Sequence, residues 1–234
     1  MQYFGGKSKI ATQIASLIAD LRSPEQLYVE PFIGGGSVFH LIPGPKIGND
    51  ARNSLIDMYL ALLDGWEPPL EVSEELYKLA REGQLPPHLT AFIGFGCSFS
   101  GKWFGGYARN RRGDNYAAQS ANSLKKKIRG FREAELLSVD YRNLQIPDGS
   151  IVYCDPPYSG TTGYSGLGTW NSDDFWESAR KWSASNIVLI SEYSAPGDFL
   201  ELWSFKTHTE IRGGKEKSRI PMEERVFVYQ ESCW

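Results

Sequence analysis

The tetrapeptide Asp155-Pro156-Pro157-Tyr158 combines residue types that suit chemistry on a flat heterocycle bearing an amino group. It follows the apolar run Ile151 to Cys154, which predicts a buried strand that the two prolines must end. The carboxylate and a proline carbonyl can accept the two hydrogens of an amine, while the tyrosine ring stacks on the heterocycle. An Asp-Pro turn after a strand is also an ordinary structural feature, so the tetrapeptide alone leaves both interpretations open.

Distinctive polar residues recur where strands are predicted to end. Strands predicted over 27–29, 46–48, 134–139 and 150–154 lead to Glu30, Asp50, Asp140 and Asp155. Because the carboxyl ends of parallel strands meet at one edge of a sheet, we expect these side chains to form one site. The alternation of strands with helices predicts an α/β fold with a mostly parallel sheet covered on both faces. Residues 205–210 and 225–229 predict a closing antiparallel pair.

A glycine turn, Gly34 to Gly36 followed by Ser37, comes after the first predicted strand. The absent side chains would let a ligand approach the N-terminus of a helix predicted to begin at Val38. Phe39 stands where a dinucleotide fingerprint has its third glycine, which counts against an NAD-binding dehydrogenase. Asp50 can bind ribose hydroxyls, although a role in the turn accounts for it equally well.

Helical periodicity elsewhere predicts five further helices and one irregular region. The helices are expected over residues 9–20, 53–63, around 74–81, 124–131 and 173–183, the last with Ser172 as a possible cap. A helical turn is predicted over 196–202. Residues 91–123 have no clear period and are predicted to form an irregular insert.

The charge is distributed unevenly along this chain of 234 residues and net charge −3. Residues 100–132 hold nine Lys and Arg and a single acid, which makes +8 against −11 for the rest. A basic stripe on an acidic body is expected of a polyanion-binding protein, whereas a solvated helix face explains residues 124–132 alone. Three scattered cysteines and three histidines predict no metal site. With no apolar stretch of about 20 residues, we expect a cytoplasmic protein without a membrane span.

Several motifs, taken in order, resemble those of the Dam-like DNA adenine methyltransferases. They are Tyr3-Phe4-Gly5-Gly6-Lys7, Glu30 to Phe39, Asn49-Asp50 with Asn53 and Leu55, and Asp155 to Tyr158. The resemblance implies a Rossmann-like S-adenosylmethionine methyltransferase sheet and methyl transfer to the exocyclic amine of adenine in double-stranded DNA. The base would be flipped out of the duplex. The resemblance also implies a catalytic segment made of Asp155, Pro156, Pro157 and Tyr158, and a cofactor site made of Tyr3, Lys7, Glu30, Pro31, Phe32, Gly34, Gly36, Ser37, Asp50, Asp140, Tyr141 and Asp155.

The basic insert lies where that family has its target-recognition region. We therefore predict a catalytic domain over 1–63 and 134–234, with a recognition region over 64–133. DNA contacts are expected from Lys102, Arg109, Asn110, Arg111, Arg112, Asn115, Lys125 and Lys126. Asn110, Arg112 and Asn115 are candidates for base contacts, because Arg pairs with guanine and Asn with adenine. We expect a monomer that acts on a short palindrome such as GATC. The small insert favours a phage or mobile-element origin, and the part played in restriction–modification is open.

Two other functions stay open at this point. The same amine chemistry would serve the exocyclic amine of cytosine. A non-catalytic nucleic-acid-binding module could share the fold, although the intact Asp155-to-Tyr158 segment and glycine turn count against it.

Overall fold

Seven strands form a single sheet in the computed structural model, which describes residues 1–158, 170–213 and 216–231, without the side chains of residues 207–222. The strands are β1 (Tyr28–Glu30), β2 (Lys46–Asn49), β3 (Ala134–Leu137), β4 (Ile151–Cys154), β5 (Ile187–Glu192), β6 (Phe199–Gly213) and β7 (Glu216–Tyr229). Their order is β3-β2-β1-β4-β5-β7-β6. The first five are parallel, and β7 pairs antiparallel with both β5 and β6. This confirms the predicted α/β fold with a mostly parallel sheet and an antiparallel C-terminal strand.

Apolar cores lie on both faces of the sheet, because alternate strand residues point to opposite sides. On β4, Ile151 and Tyr153 face one core, whereas Val152 and Cys154 face the other. The described helices are α1 (Ala11–Leu21), α2 (Asn53–Leu63), α3 (Glu74–Arg81), α4 (Pro87–Gly96), α5 (Tyr116–Lys127) and α6 (Ser172–Ser183). The first five contribute to the first core and α6 to the second. Both faces of the central strands are therefore covered, as the continuous apolar run on β4 predicts.

The prediction of an irregular region over 91–123 is wrong. The second half of α4 and the first two thirds of α5 lie within it. Residues 91–96 of α4 are all buried, so the helix is apolar on every side and shows no amphipathic period. The buried side of α5 consists of small residues such as Ala117 and Ala121, which give a weak periodic signal.

Three smaller predictions are also wrong. The helix expected from Val38 is only a 3-10 turn at Phe39–Leu41, because Pro43 and Gly44 follow at once. The helical turn expected over 196–202 is replaced from Phe199 onward by β6, since pairing with β7 outweighs the local pattern. The cap of α6 is Asn171, whose side chain accepts hydrogen bonds from the Asp173 and Asp174 amides, and Ser172 is already helical.

The segment 64–133 does not have an apolar core of its own. Phe92, Ala121 and Leu124 belong to the same buried cluster as Ile14 and Tyr59 of the flanking segments. The division into a catalytic domain and a recognition region stays a prediction. Among the described residues, no helix is both long enough and apolar enough to cross a membrane.

Candidate active site

The carboxyl ends of the parallel strands bring the predicted acidic residues to one edge of the sheet. Asn49, the last residue of β2, fixes this edge by joining two chain segments. Its Nδ2 donates to the Pro31 carbonyl (3.1 Å) and the Val139 carbonyl (3.0 Å), and its Oδ1 accepts from the Val139 amide. The loops that follow β1 and β3 are thereby held beside the end of β2.

The glycine turn after β1 is shaped by close packing against two rings. Gly34 and Gly36 have φ of 45° and 59°, in the left-handed region that favours glycine. A Cβ on Gly34 would lie 2.9 Å from the ring of Tyr3, and one on Gly36 would lie 2.5 Å from the ring of Phe131. The Tyr59 hydroxyl donates to the Gly34 carbonyl at 2.7 Å. The glycines therefore leave room for the rings of Tyr3 and Phe131. They do not precede a long helix, because Phe39–Leu41 is only a 3-10 turn.

A cavity opens between the N-terminal segment, the glycine turn and the end of β4. Seven of the predicted residues line it, namely Tyr3, Lys7, Glu30, Phe32, Gly34, Ser37 and Asp155. Gly5, Gly6 and Tyr153 also line it, and sequence reasoning did not assign them a role. The structure therefore brings residues from three distant motifs together around one cavity.

Lys7 and Asp155 form an ion pair in the wall of this cavity. The Lys7 Nζ lies 2.7 Å from Asp155 Oδ1, and the two side chains are only 5% and 19% exposed. Burial raises the pKa of the Asp155 carboxyl, and the Lys7 ammonium opposes this rise. The ammonium is thus what favours the charged form of a carboxylate that has lost most of its water.

Tyr158 stands beside this ion pair. Lys7 Nζ lies 4.4 Å from the centroid of its ring, a cation–π distance, and the ring of Tyr193 meets it edge to face at 4.6 Å. The Tyr158 hydroxyl donates to Glu224 on β7 at 2.9 Å. Burial, aided by Asp155 and Glu224, raises the pKa of this phenol, so it is a hydrogen-bond donor at neutral pH.

Glu30 is buried at the end of β1, with an exposed fraction of 3%. The Tyr28 hydroxyl donates to its Oε2 at 2.9 Å. Burial raises the pKa of Glu30 well above its usual value, and the hydrogen bond from Tyr28 opposes this. Glu30 therefore offers the cavity a carboxyl group that readily holds a proton until a cation approaches.

Lys127, at the end of α5, contacts the same turn and was not assigned to the site by its sequence. Its Nζ donates to the Gly35 carbonyl at 2.7 Å and to the Ser37 hydroxyl at 3.2 Å. Burial lowers the pKa of Lys127 to about 8. Within the run Lys125-Lys126-Lys127, helical spacing distinguishes Lys127, because it lies three residues after the buried Leu124 on the same face of α5.

Asp50 lies just outside the cavity wall and shapes the glycine turn. Its carboxylate accepts from the amides of Gly34 (3.0 Å) and Arg52 (2.9 Å), and the side chain is buried. Burial raises the pKa of Asp50, and these two hydrogen bonds oppose the rise. Asp50 therefore does stabilise the turn, which was one of the two roles considered for it. Ribose binding would use the remaining lone pairs of its carboxylate oxygens.

Asp140 and Tyr141 lie at the neighbouring strand end, also outside the cavity wall. Asp140 pairs with Arg142 at 2.6 Å, and this hydrogen bond lowers the pKa of the carboxyl. Tyr141 packs against Phe32 at 5.3 Å and Trp170 at 5.4 Å between ring centroids. Within the described part of the chain, the buried Trp170 Nε1 has no hydrogen-bond partner. Since Phe32 does line the cavity, this aromatic cluster continues its wall.

The residues predicted to bind DNA lie on or near the exposed loop between α4 and α5 and on α5 itself. Arg109 and Lys125 make exposed ion pairs with Glu74 (2.6 Å) and Glu67 (3.0 Å). Lys102 lies 5.9 Å from the ring of Phe4, and Arg111, Arg112 and Lys126 are exposed. These side chains lie between residues 102 and 126 of the chain, and two of them are paired with acidic residues.

Two of the candidates for base contacts have local structural roles. The Asn110 Oδ1 accepts from the Arg112 and Asp114 amides and so shapes a turn. Asn115 is the N-cap of α5 and accepts from the Ala118 amide at 2.9 Å. Arg112, which is exposed, is the better placed of the three to reach a base edge.

Comparison with known proteins finds a family model that matches part of the chain. Residues 3–86 match the family model of the D12 class N6 adenine-specific DNA methyltransferases. The match indicates S-adenosylmethionine-dependent methyl transfer. The match contains the Tyr3-to-Lys7 segment, the glycine turn and Asp50, and it confirms the resemblance seen in the motifs. It ends before Asp155.

Solved structures of methyltransferases are similar to this chain along most of its length but share few identical residues. A tRNA (m1A58) methyltransferase from Aquifex aeolicus is 12% identical, with 98% of this chain and 70% of that chain covered and a TM-score of 0.44. A precorrin-6y C5,15-methyltransferase from Geobacter metallireducens is 9% identical, with 95% and 88% covered and a TM-score of 0.41.

The methyltransferase's cavity has the donor set that its cofactor requires. S-adenosylmethionine supplies an electrophilic methyl group on a positively charged sulfonium, and it also carries an amine, a carboxylate, a ribose and an adenine. Lys7 and Lys127 would offer positive charge to the carboxylate, and Asp155, with Glu30 once a cation displaces its proton, would offer negative charge to the cationic groups. The cluster of Phe32, Tyr141 and Trp170 provides an apolar surface with one buried donor, Trp170 Nε1, that has no partner among the described residues. The residues present therefore fit the cofactor.

Proposed function

We propose that this methyltransferase modifies the exocyclic amine of adenine in double-stranded DNA. The observation that carries the proposal is the Asp155 carboxylate in the cavity wall, ion-paired with Lys7 and followed by the ring of Tyr158. A carboxylate, adjacent carbonyls and an aromatic ring next to the cofactor cavity match the needs of an amino-bearing base. The match of residues 3–86 to an adenine-specific family supports adenine over cytosine.

Asp155 and the Pro156 carbonyl would activate the amine. The nitrogen lone pair of adenine is conjugated with the ring, so it is a poor nucleophile. Two acceptors that bind both amine hydrogens favour a pyramidal nitrogen, aim its lone pair at the methyl group and stabilise the positive charge that develops on nitrogen. As the new carbon–nitrogen bond forms, the carbon–sulfur bond breaks, and the nitrogen then loses one proton to water. Pro157 would keep the turn rigid.

Tyr158 would stack on a base that has left the duplex. The amine lies inside stacked DNA, so the base must be flipped out at a cost of a few kcal/mol. Stacking on an aromatic ring is worth about 1–3 kcal/mol, which offsets part of that cost. The edge-to-face contact with Tyr193 would help to hold the ring in place before DNA binds.

The exposed basic residues would hold the DNA backbone. We propose that Lys102, Arg109, Arg111, Lys125 and Lys126 contact phosphates, and that Arg112, Asn110 and Asn115 lie nearest the bases. One monomer would methylate one strand at a time. A short palindrome such as GATC is the proposed target.

Incubation of the purified protein with labelled S-adenosylmethionine and unmethylated genomic DNA tests this function, with the product nucleoside identified by mass spectrometry. We expect N6-methyladenine in duplex DNA and little label in RNA. N4-methylcytosine would move the reaction to the other base. Retained cofactor and DNA binding with no label in any nucleoside would favour the non-catalytic module instead.

A further inference from the structure

Glu224 on β7 is a second carboxylate at the Asp155 site, and neither its sequence nor the family match assigns it a role. Its Oε2 accepts the Tyr158 hydroxyl at 2.9 Å and lies 3.9 Å from Lys7 Nζ. The Glu224 side chain is only 15% exposed. Because β7 pairs with β5 with Glu192 opposite Arg225, Glu224 lies at the carboxyl end of β5, beside the catalytic turn.

One ammonium thus serves two carboxylates. The Lys7 Nζ lies 2.7 Å from Asp155 Oδ1 and 3.9 Å from Glu224 Oε2. With both carboxyl groups ionised, the one positive charge of Lys7 leaves one negative charge unbalanced. Burying carboxylates with too few partners costs stability unless other donors compensate. The Tyr158 hydroxyl is the donor that Glu224 uses, and the ring of the same tyrosine covers Lys7. The excess negative charge would stabilise the sulfonium of the cofactor and the positive charge that develops on the amine.

We propose that Glu224 is a positioning residue for methyl transfer, which holds the Tyr158 ring through its hydroxyl and shares Lys7 with Asp155. It touches neither the base nor the methyl group. This inference rests on the proposed function, because a fixed ring matters only if a base stacks on it. It goes beyond that function because it makes a residue of β7 responsible for orienting the Asp155-to-Tyr158 segment.

The hydrogen bond gives the proposal a specific signature, which is energetic coupling between two substitutions. Tyr158→Phe and Glu224→Ala both remove the hydrogen bond between these residues, and Tyr158→Phe also removes a hydrogen bond to Asp155. The loss in the double variant should therefore be clearly smaller than the sum of the two single losses. Loss of a hydrogen bond to a charged group predicts a roughly 10-fold to 100-fold fall in kcat, with the affinity for S-adenosylmethionine nearly unchanged. Glu224→Gln retains an acceptor for the hydroxyl and should recover most of the rate.

Glu223→Ala provides the matched control. Glu223 is the preceding glutamate on the same strand, and it pairs with Arg225 rather than with the catalytic turn. We expect this variant to retain the wild-type rate. Urea unfolding of all the variants should show that Glu224→Ala is folded, and Glu224→Gln provides a second test if Glu224→Ala is not.

Single-turnover methyl transfer to DNA, measured for the wild type, the four single variants and the double variant, tests the inference. Coupling between Tyr158→Phe and Glu224→Ala with recovery in Glu224→Gln would support it. Additive losses, or Glu224→Ala as active as Glu223→Ala, would overturn it while the proposed function stands. A wild type that transfers no methyl group to DNA would overturn the proposed function and the inference with it.

Discussion

At the scale of single residues, the proposed chemistry depends on the aromatic ring of Tyr158. The ring lies beside Lys7, which pairs with Asp155 in the cavity wall, and it would cover one face of a flipped base. The hydroxyl has a different role, since it bonds to Glu224. The ring and the hydroxyl can therefore be tested separately.

Tyr158→Ala should weaken the complex with a flipped base by about 1–3 kcal/mol, because stacking is lost. Tyr158→Phe keeps the ring and should retain most of that affinity. Once the modified sequence has been mapped, fluorescence of 2-aminopurine at the target position measures flipping for both variants. Equal fluorescence for wild type, Tyr158→Phe and Tyr158→Ala would contradict the stacking role.

The residues of the site differ in how well they could be predicted. Asp155 and Tyr158 were predicted because two prolines end a buried strand there, which is a local signal. Glu224 was not, because it is separated from Tyr158 by 66 positions along the chain and its role depends on the pairing of β7 with β5. Helical spacing places Lys127 on the buried face of α5, but its contact with the glycine turn, 90 positions away, depends on how α5 docks. Long-range contacts of this kind leave no pattern in a single sequence.

At the scale of elements, the glycine turn and the end of α5 are in contact beside the cavity proposed to bind the cofactor. The turn requires glycine for two reasons, a left-handed backbone and the close approach of two rings. Gly36 shows both, because its φ is 59° and an added Cβ would meet Phe131 at 2.5 Å. Gly83, by contrast, has a φ of 72° with open space around it.

Gly36→Ala should therefore destabilise the protein more than Gly83→Ala. Left-handed backbone strain costs about 1–2 kcal/mol in both variants, and overpacking adds about 1–3 kcal/mol in Gly36→Ala only. Urea unfolding measures the difference. Equal losses in the two variants would show that the contact with Phe131 is not tight.

Lys127 should make the stability depend on pH in a characteristic direction. Burial lowers its pKa from 10.5 to about 8 in the folded protein. Because the unfolded chain then binds more protons between pH 8 and pH 10.5, the free energy of unfolding contributed by Lys127 rises with pH in that window. Partial exposure reduces the gain to about 1–2 kcal/mol.

Comparing wild type with Lys127→Met at pH 7.5 and pH 10 isolates this contribution, with Lys126→Met as the exposed control. The gain on raising the pH should be smaller in Lys127→Met than in the wild type, by about 1–2 kcal/mol, and unchanged in Lys126→Met. Some gain remains in all three proteins, because burial also lowers the pKa of Lys46 to about 8. An undiminished gain in Lys127→Met would show that Lys127 is not responsible. Lys127→Met should also bind S-adenosylmethionine more weakly, because it releases the Gly35 carbonyl and the Ser37 hydroxyl.

The elements themselves were predicted well where their patterns are amphipathic. The bounds of α2 and α3 agree with the periodicity of their sequences, and β4 with its apolar run. The pattern failed for α4, which is buried on every side, and for the start of β6, where pairing with β7 decides the structure. Both failures arise from tertiary contacts that local periodicity does not record.

At the scale of the whole molecule, the separation of charge along the chain suggests how the proposed DNA substrate would be held. Residues 100–132 carry a charge of +8, on a chain whose net charge is −3. Such a region attracts a polyanion while the acidic remainder repels it, which favours one orientation of the duplex.

Replacing both Arg111 and Arg112 by Ala should weaken DNA binding and its dependence on salt. Each lost phosphate contact removes about 0.9 from the slope of log affinity against log salt, so the slope should fall by up to about 1.8. Lys181→Ala on α6, on the opposite face of the sheet, is the matched control and should leave the slope unchanged. A slope that is equal in all three proteins would exclude these arginines from the DNA surface.

The central claim is that Asp155 activates the amine of a DNA base for methyl transfer from S-adenosylmethionine. The most direct test is the single-turnover rate of Asp155→Ala on unmethylated DNA, with the affinities for cofactor and DNA measured on the same preparation. We predict a loss of at least about 10²–10³-fold in rate, as for the removal of a group that stabilises developing charge, with DNA affinity largely retained. A variant that keeps the wild-type rate would contradict the claim.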